Sequence, residues 1–476
     1  MAGAGTLTAF RRAAAEGWEM AVSPTGSAAL RGPISGSGST VSVLAATAIV
    51  VADMVGVGVF TSLGFQVTDI PSGFSILLLW VVGGIVALCG VFSYGELGAM
   101  FPRSSGEYNF LGRAYHPAFG FLAGWVSATV GFSAPVALAA MAFGEYGRAI
   151  LPDAPPMALA VGVVWLVALV QLTGVKHSSA FQLIATILKV VLIVAFLACG
   201  FVIGTAQPVS FAPQASDFSH IISAPFAISL VFVMYSFSGW NAATYIIGEM
   251  KDPERNLPRA MLLGTSVVLL LYVALNAVFL LTAPVDKLAG QLDVARVSGT
   301  YIFGEVGGRV VGGMICIGLI SSISAMMWIG PRVGMTMGED IPALRIFSRK
   351  TANGAPAYAI LFQLVVATLM LLTRSFEHVL EFIQFSLLFC SFFVVAGVIK
   401  LRITHPDLPR PYRAWGYPLS PLVFLFVTGF MMYYLLTTRP MQSLLGLLIM
   451  LSGLLIYAFF RKQARNSQAA ASSGRK

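Results

Sequence analysis

The sequence predicts an all-α protein that crosses a lipid bilayer about twelve times. Three observations predict it. Of 476 residues, 57% are hydrophobic and only 10% are charged, where a water-soluble domain carries about 25% charge. Apolar runs of the roughly 20 residues needed to cross a hydrocarbon core recur from end to end. The segments between them are short, so little chain remains for a soluble domain.

The spans are expected to begin near Ser42, Phe74, Ala118, Pro156, Ala180, Ile222, Met261, Phe303, Tyr358, Val379, Pro421 and Ser443. Residues 1–39, rich in Gly, Ala and Ser and ending in "PISGSGST", cannot bury a core and are expected to be a disordered cytoplasmic tail. Arg11 and Arg12 are followed by "AAAEGWEM" instead of an apolar run, which argues against a signal peptide, and Met20 is a second candidate start. Residues 40–462 form the membrane domain, and 463–476, "QARNSQAAASSGRK", form a second disordered cytoplasmic tail.

Charge placement orients the chain. With both termini on one side, the opposite face keeps only Arg148, Lys287, Arg296, Arg309, Arg374 and Arg439 of the 29 Lys and Arg residues, and Lys189 lies inside a span. The positive-inside rule then makes both termini cytoplasmic, in the cell (inner) membrane. The net charge of +9 is accounted for by this asymmetry and requires no nucleic acid partner. Cys89, Cys199, Cys316 and Cys390 all fall within spans, where a thiol serves as a small hydrophobe. The five histidines are scattered. No nucleophile–base pair, metal-ligand spacing or cofactor motif appears, so no catalytic or metal residue is assigned. In the loop 249–261, Asp252 is expected to cap a short surface helix, with Pro253 at its first position and Glu254 facing the dipole, before Pro258 turns into the next span.

Two spans are interrupted. The first contains "DMVGVGVF" (53–60) and the sixth "MYSFSGWNAATY" (234–245), five spans apart, as a five-plus-five inverted repeat with two appended spans requires. A broken helix survives in hydrocarbon only where its freed peptide groups line a protein cavity. The freed N–H groups suit an anion such as a carboxylate, and the freed carbonyls suit a cation such as an ammonium, so a zwitterion fits. Gly56 and Gly58 are expected to supply permissive dihedrals and a bare backbone. Helix packing favours small residues four apart, and these two are two apart. For "SFSGW", packing stands as an equal reading.

Four stretches, "GVGVF" (56–60), "SYGELGAMFPRSSGEYNFLGRAY" (93–115), "GEMKDPERNLPRAM" (248–261) and "RPYRAWGYP" (410–418), resemble the amino acid–polyamine–organocation superfamily within the leucine-transporter-like fold. The likeness covers roughly residues 40 to 460 and is strongest to bacterial amino acid permeases related to the L-type transporters. It implies a secondary amino acid transporter working by alternating access, by proton-coupled symport or by exchange. It places the substrate carboxylate against N–H groups of the first break, at Val57 and Gly58, with Gly56 also among the substrate-binding residues. The α-ammonium would meet carbonyls of Met54, Tyr235 and Ser238 beside Gly239, with the Tyr235 ring as a gate. Lys189 would stand where sodium-coupled relatives hold an ion, its ammonium near the carbonyls of Ala52 and Val55. Ser321, Ser322 and Ser324 match positions of sodium-ligating hydroxyls, and Ala134 and Pro135 are candidates for pocket lining.

Intramembrane ionisable groups are costly, roughly 2.5–3.5 kcal/mol on insertion scales, and usually functional. Lys189 is either a proton site or a charged brace for the first break. Asp53 departs from the resemblance. It is a partner of Lys189, a proton carrier, a contact for a cationic side chain, or a protonated bystander. Glu96, Glu107 and Glu249 are expected to fix helix ends or close an inner gate. The runner-up functions are a polyamine or cationic amino acid antiporter and a transport-silent nutrient sensor. The loop 147–155 has no cysteine, so no disulfide-linked heavy chain is expected.

Overall fold

The computed structural model describes residues 41–173, 175–204, 206–352 and 354–473; the 1–39 tail and Met20 lie outside them. Among the described residues every regular element is helical, with an isolated bridge between Val41 and Met250 in place of any strand. The helices run α1 (Val43–Met54), α2 (Gly58–Asp69), α3 (Gly73–Met100), α4 (Glu107–Ala114), α5 (Pro117–Val126), α6 (Ser133–Gly147), α7 (Pro156–Leu172) and α8 (Val175–Ile203). They continue as α9 (Asp217–Ile221), α10 (Ala224–Phe237), α11 (Pro253–Thr282), α12 (Val285–Leu288), α13 (Val294–Asp340), α14 (Ala357–Leu371), α15 (Phe376–Thr404), α16 (Leu419–Thr438) and α17 (Pro440–Ser473). Among the described residues nine segments are long and apolar enough to cross a membrane, counting α1 with α2 as one and α5 with α6 as another, and the shorter apolar helices α7, α10 and α14 occupy the places of the other expected spans. This is an integral membrane protein.

Helix starts follow the capping rule that a side-chain acceptor satisfies a freed N–H group. Ser42 accepts from the Ala45 amide at 3.2 Å, Ser72 from Ser75 at 3.2 Å and Ser223 from Phe226 at 3.3 Å. The segment 249–261 differs from expectation. The surface helix does not form separately, because α11 starts at Pro253 and runs through Pro258 into the seventh span. Pro258, the sixth residue of the helix, removes the bond its N–H would have made to Glu254 O, a single loss near the helix start that the rest of the helix outlasts. Asp252 caps through its backbone: it sits at φ 42°, its carbonyl accepts from Asn256, and its side chain makes no capping bond. The second half of the sixth span is not an α-helix either. It is a pair of 3₁₀ turns, Ala242–Tyr245 and Ile247–Glu249. α13 bends at Gly304, where φ is +75°.

The face carrying most of the basic residues is tied together by buried ion pairs. Glu96, 1% exposed at the end of α3, takes both guanidinium nitrogens of Arg402 on α15 and the Ala414 amide at 2.7 Å. Arg410 stands 3.4 Å from its other oxygen. Removing buried Glu96 leaves two partly buried cations uncompensated, and breaking a fully buried pair costs about 3–5 kcal/mol, an upper bound here. Glu96→Ala is therefore expected to lower the unfolding temperature of the detergent-solubilised protein clearly, and an unchanged melting curve counts against this lock.

Candidate functional site

The first span opens where α1 ends at Met54 and α2 begins at Gly58, leaving Val55–Val57 as a bend. The sixth opens where α10 ends at Phe237, with Ser238 extended (φ −57°, ψ 142°) and Gly239 at φ +103°. The two openings touch. A Cβ on Gly239 would lie 2.8 Å from Asp53 Oδ2 and 2.9 Å from the Asp53 carbonyl carbon. A Cβ on Gly58 would lie 2.6 Å from the Ser236 Cα. The permissive dihedral is therefore needed at Gly239, and neither Gly56 nor Gly58 has positive φ. That corrects the expectation for the glycine pair. Gly58 is required by close packing of α2 on α10, whereas the nearest non-local atom to a Cβ on Gly56 is Ser322 Oγ, an ordinary 3.7 Å away.

The freed peptide groups divide into engaged and open ones. Val55 O accepts from Lys189 Nζ at 2.6 Å and from Ser322 Oγ at 3.0 Å, and Ala52 O accepts from Nζ at 3.3 Å. Ser322 Oγ takes the third lysine proton at 2.9 Å. An ammonium has three donors, and all three are used. Met54 O accepts from the Gly56 amide at 2.7 Å and from Tyr272 Oη at 2.5 Å. The same hydroxyl lies 3.0 Å from Ser236 O, so one α11 proton is shared between the two breaks. Tyr235 O accepts from both the amide and the hydroxyl of Ser238, at 2.9 and 2.6 Å. Among the described residues, the N–H groups of Val57 and Gly58 have no hydrogen-bond acceptor. Of the carbonyls expected for an ammonium, Met54 and Tyr235 are thus occupied within the protein.

Asp53 is 5% exposed, and its Oδ1 has no partner. It makes no direct ion pair with Lys189, whose donors all point elsewhere. Two of the alternatives for Asp53 therefore differ in geometry: it faces Gly239, across the gap, and not the lysine. Tyr235 is buried in the last turn of α10, and Trp240 packs edge-on to Tyr94 at 4.6 Å, a packing aromatic. Ser324 is engaged by Gln171 at 3.0 Å. Ala134 and Pro135 are buried at the start of α6, directly after a π-helical turn over Ser127–Gly131.

Both approaches to the breaks are closed. On the basic face, Val41 N donates to Glu249 O at 3.0 Å and Lys251 N to Val41 O at 3.1 Å. Arg332 pairs with Glu249 at 3.2 Å, Asp340 accepts from Arg103 at 2.6 Å and Tyr108 at 2.7 Å, and buried Glu107 accepts from Tyr94 at 2.6 Å. On the other face, Tyr146 Oη donates to Phe60 O at 3.0 Å and Gly290 N to Gly64 O at 2.8 Å.

Sequence reading missed Tyr272. Its signal was a lone hydroxyl in the apolar run "LLLYVALNAVF" (269–279), with Asn276 one turn later donating to Tyr272 O at 2.8 Å.

Two interrupted helices facing each other inside a chain of membrane-spanning helices define a membrane transporter. The family described as amino acid permease matches residues 41–460, and the chain belongs to it. The serine/threonine exchanger SteT of Bacillus subtilis (strain 168) is 26% identical over 434 residues, 89% of this chain and 97% of its own length. The b(0,+)-type amino acid transporter 1 of Mus musculus is 26% identical over 433 residues, 88% of this chain and 87% of its own. The large neutral amino acids transporter small subunit 2 of Homo sapiens is 25% identical over 429 residues, 88% of this chain and 79% of its own. The chain is accordingly a secondary amino acid transporter and not an enzyme.

The glycine geometry separates three substitutions. Gly56→Ala is expected to keep folding and uptake in proteoliposomes, while Gly58→Ala and Gly239→Ala lose uptake. Tyr272→Phe takes the hydroxyl donor from Ser236 O and leaves Met54 O with the Gly56 amide alone, a loss of about 1–3 kcal/mol read as a lower unfolding temperature.

Proposed function

We propose that the chain carries amino acids across the cell membrane by alternating access, its termini cytoplasmic, driven by proton symport or by exchange. The substrate carboxylate rests on the N–H groups of Val57 and Gly58, with Gly56 leaving the bend bare. The α-ammonium meets Ser238 O and the Asp53 carboxylate beside Gly239, and Met54 O and Tyr235 O become available when Tyr272 and Ser238 shift. The Tyr235 ring closes over the bound molecule. Lys189 is the coupling residue: losing its proton removes one of three bonds that hold the first break. One observation carries this reading. Unengaged amides and a partnerless acid oxygen lie in the same break region, the two ends a zwitterion needs. A lone transport subunit is expected, with no heavy chain bonded through a disulfide.

The open Asp53 oxygen favours a second reading, a preference for cationic amino acids or polyamines. A thermal-shift screen of the purified protein against neutral amino acids, lysine, arginine and putrescine tests both. A ligand at 100 times its Kd stabilises the fold by about 2.7 kcal/mol. Asp53→Asn is expected to weaken every amino acid under the first reading, where the acid holds the α-ammonium, and to abolish only the preference for the cationic members under the second. If no amino acid or amine shifts the wild-type curve, both readings fail.

Uptake into proteoliposomes separates transport from a silent sensor. Coupling energies between sites typically amount to 5–150-fold, so Lys189→Ala is expected to lose gradient-driven accumulation by about tenfold or more while retaining exchange. Full accumulation in that variant removes the lysine from the proton path.

A further inference from the structure

A cavity of about 480 Å³ lies away from the helix breaks, among α5, α13, α14, α17 and the 3₁₀ turn Pro342–Ser348. Its volume falls within the ~300–1,000 Å³ of small-molecule sites. The floor is small and apolar: Gly330, Pro331 and Gly334 of α13 and Ala359 of α14. Leu344 and Phe347 of the 3₁₀ turn lie at its basic-face end, and α17 supplies the outer wall. Gln363 lines it too: its amide nitrogen donates to Met326 O at 3.3 Å, and its carbonyl oxygen, beside Gly330, has no partner among the described residues. The groove opens sideways, since Leu455 is 72% and Phe459 58% exposed. In a membrane-spanning chain that exposure is to hydrocarbon.

Cations rim one end. Arg345 and Arg349 flank the lining residue Phe347, Lys350 follows, and Arg461 and Lys462 come directly after the lining residue Phe460; all five are exposed. None forms an ion pair with a described residue, in contrast to Arg103, Arg332, Arg402 and Arg410 on the same face. Asp340 is engaged by Arg103 and Tyr108, leaving exposed Glu339 as the acid set against them. An apolar slot at membrane depth with unpaired bases at its mouth matches one occupant: acyl chain inside, phosphate outside. Unpaired bases at a membrane surface attract anionic headgroups.

We propose that this groove is a binding site for an anionic phospholipid of the leaflet on the basic face. It is independent of the amino acid site. A Cβ on Gly334 would meet only Ala359 Cβ, at an ordinary 3.7 Å, so Gly334→Leu fills the slot without forcing the backbone.

Native mass spectrometry of the full chain in detergent, titrated with phosphatidylglycerol or with phosphatidylcholine of the same chains, is the test. Wild type is expected to retain phosphatidylglycerol preferentially. Arg345→Gln combined with Arg349→Gln and Lys350→Gln should weaken that retention by roughly tenfold or more, and Gly334→Leu should weaken retention of both lipids. Equal retention of the two lipids by wild type overturns the proposal. A phosphatidylglycerol carrying a photoreactive chain gives a second measurement on the unmutated protein. Labelling of the α13 and α14 peptides around Met337 and Phe362 supports the site, and labelling confined to other helices overturns it.

Discussion

Carbonyls freed inside the hydrocarbon need donors from elsewhere in the protein, and meeting that need organises the centre of the molecule, while among the described residues the freed Val57 and Gly58 amides stay unengaged. Opening the first and sixth spans releases carbonyls that water cannot reach. Three side chains from three other helices answer for them: Lys189 from α8, Ser322 from α13 and Tyr272 from α11. The lysine is therefore bound into the structure before any question of transport arises. Its nitrogen bonds two carbonyls and a hydroxyl, the partners that a polar group at that depth needs.

The two intramembrane charges are handled in opposite ways. Lys189 has every donor used, whereas Asp53 is buried with an oxygen left open. A direct pair would have satisfied both and left nothing for a ligand. Their separation leaves a carboxyl oxygen without a partner in the break region while the lysine nitrogen holds the backbone of α1.

The architecture was legible in the sequence because its cause is local. Apolar runs of membrane length and Ser at helix starts are written residue by residue. The positions of both breaks were legible for the same reason, since Gly58, Gly239 and the serines between 236 and 238 interrupt otherwise uniform runs. What each glycine does was not. Whether a residue needs positive φ or a missing Cβ depends on what crosses it, and Ser236 meets Gly58 from 178 positions away in the chain. Tyr272 was missed for a related reason: one hydroxyl in an apolar helix has a role only once the carbonyls it serves have been brought beside it. The seventh span's early start at Pro253 shows the limit of proline as a stop signal, because a proline in the first turns leaves most of the helical hydrogen bonds intact.

The close contact of Gly58 with Ser236, reinforced by the 3.1 Å approach of Ser62 and Ser236 hydroxyls, fastens α2 to α10. On the basic face, the pairing of Val41 with Glu249 and Lys251 fastens the entry to α1 to the exit of the 3₁₀ turns. The four half-spans thus form two pre-assembled couples, jointed to each other through Val55–Val57 and Ser238–Asn241. Within each couple the two half-spans share contacts that neither can leave without the other, so the protein is braced across the breaks and jointed only at the two bends.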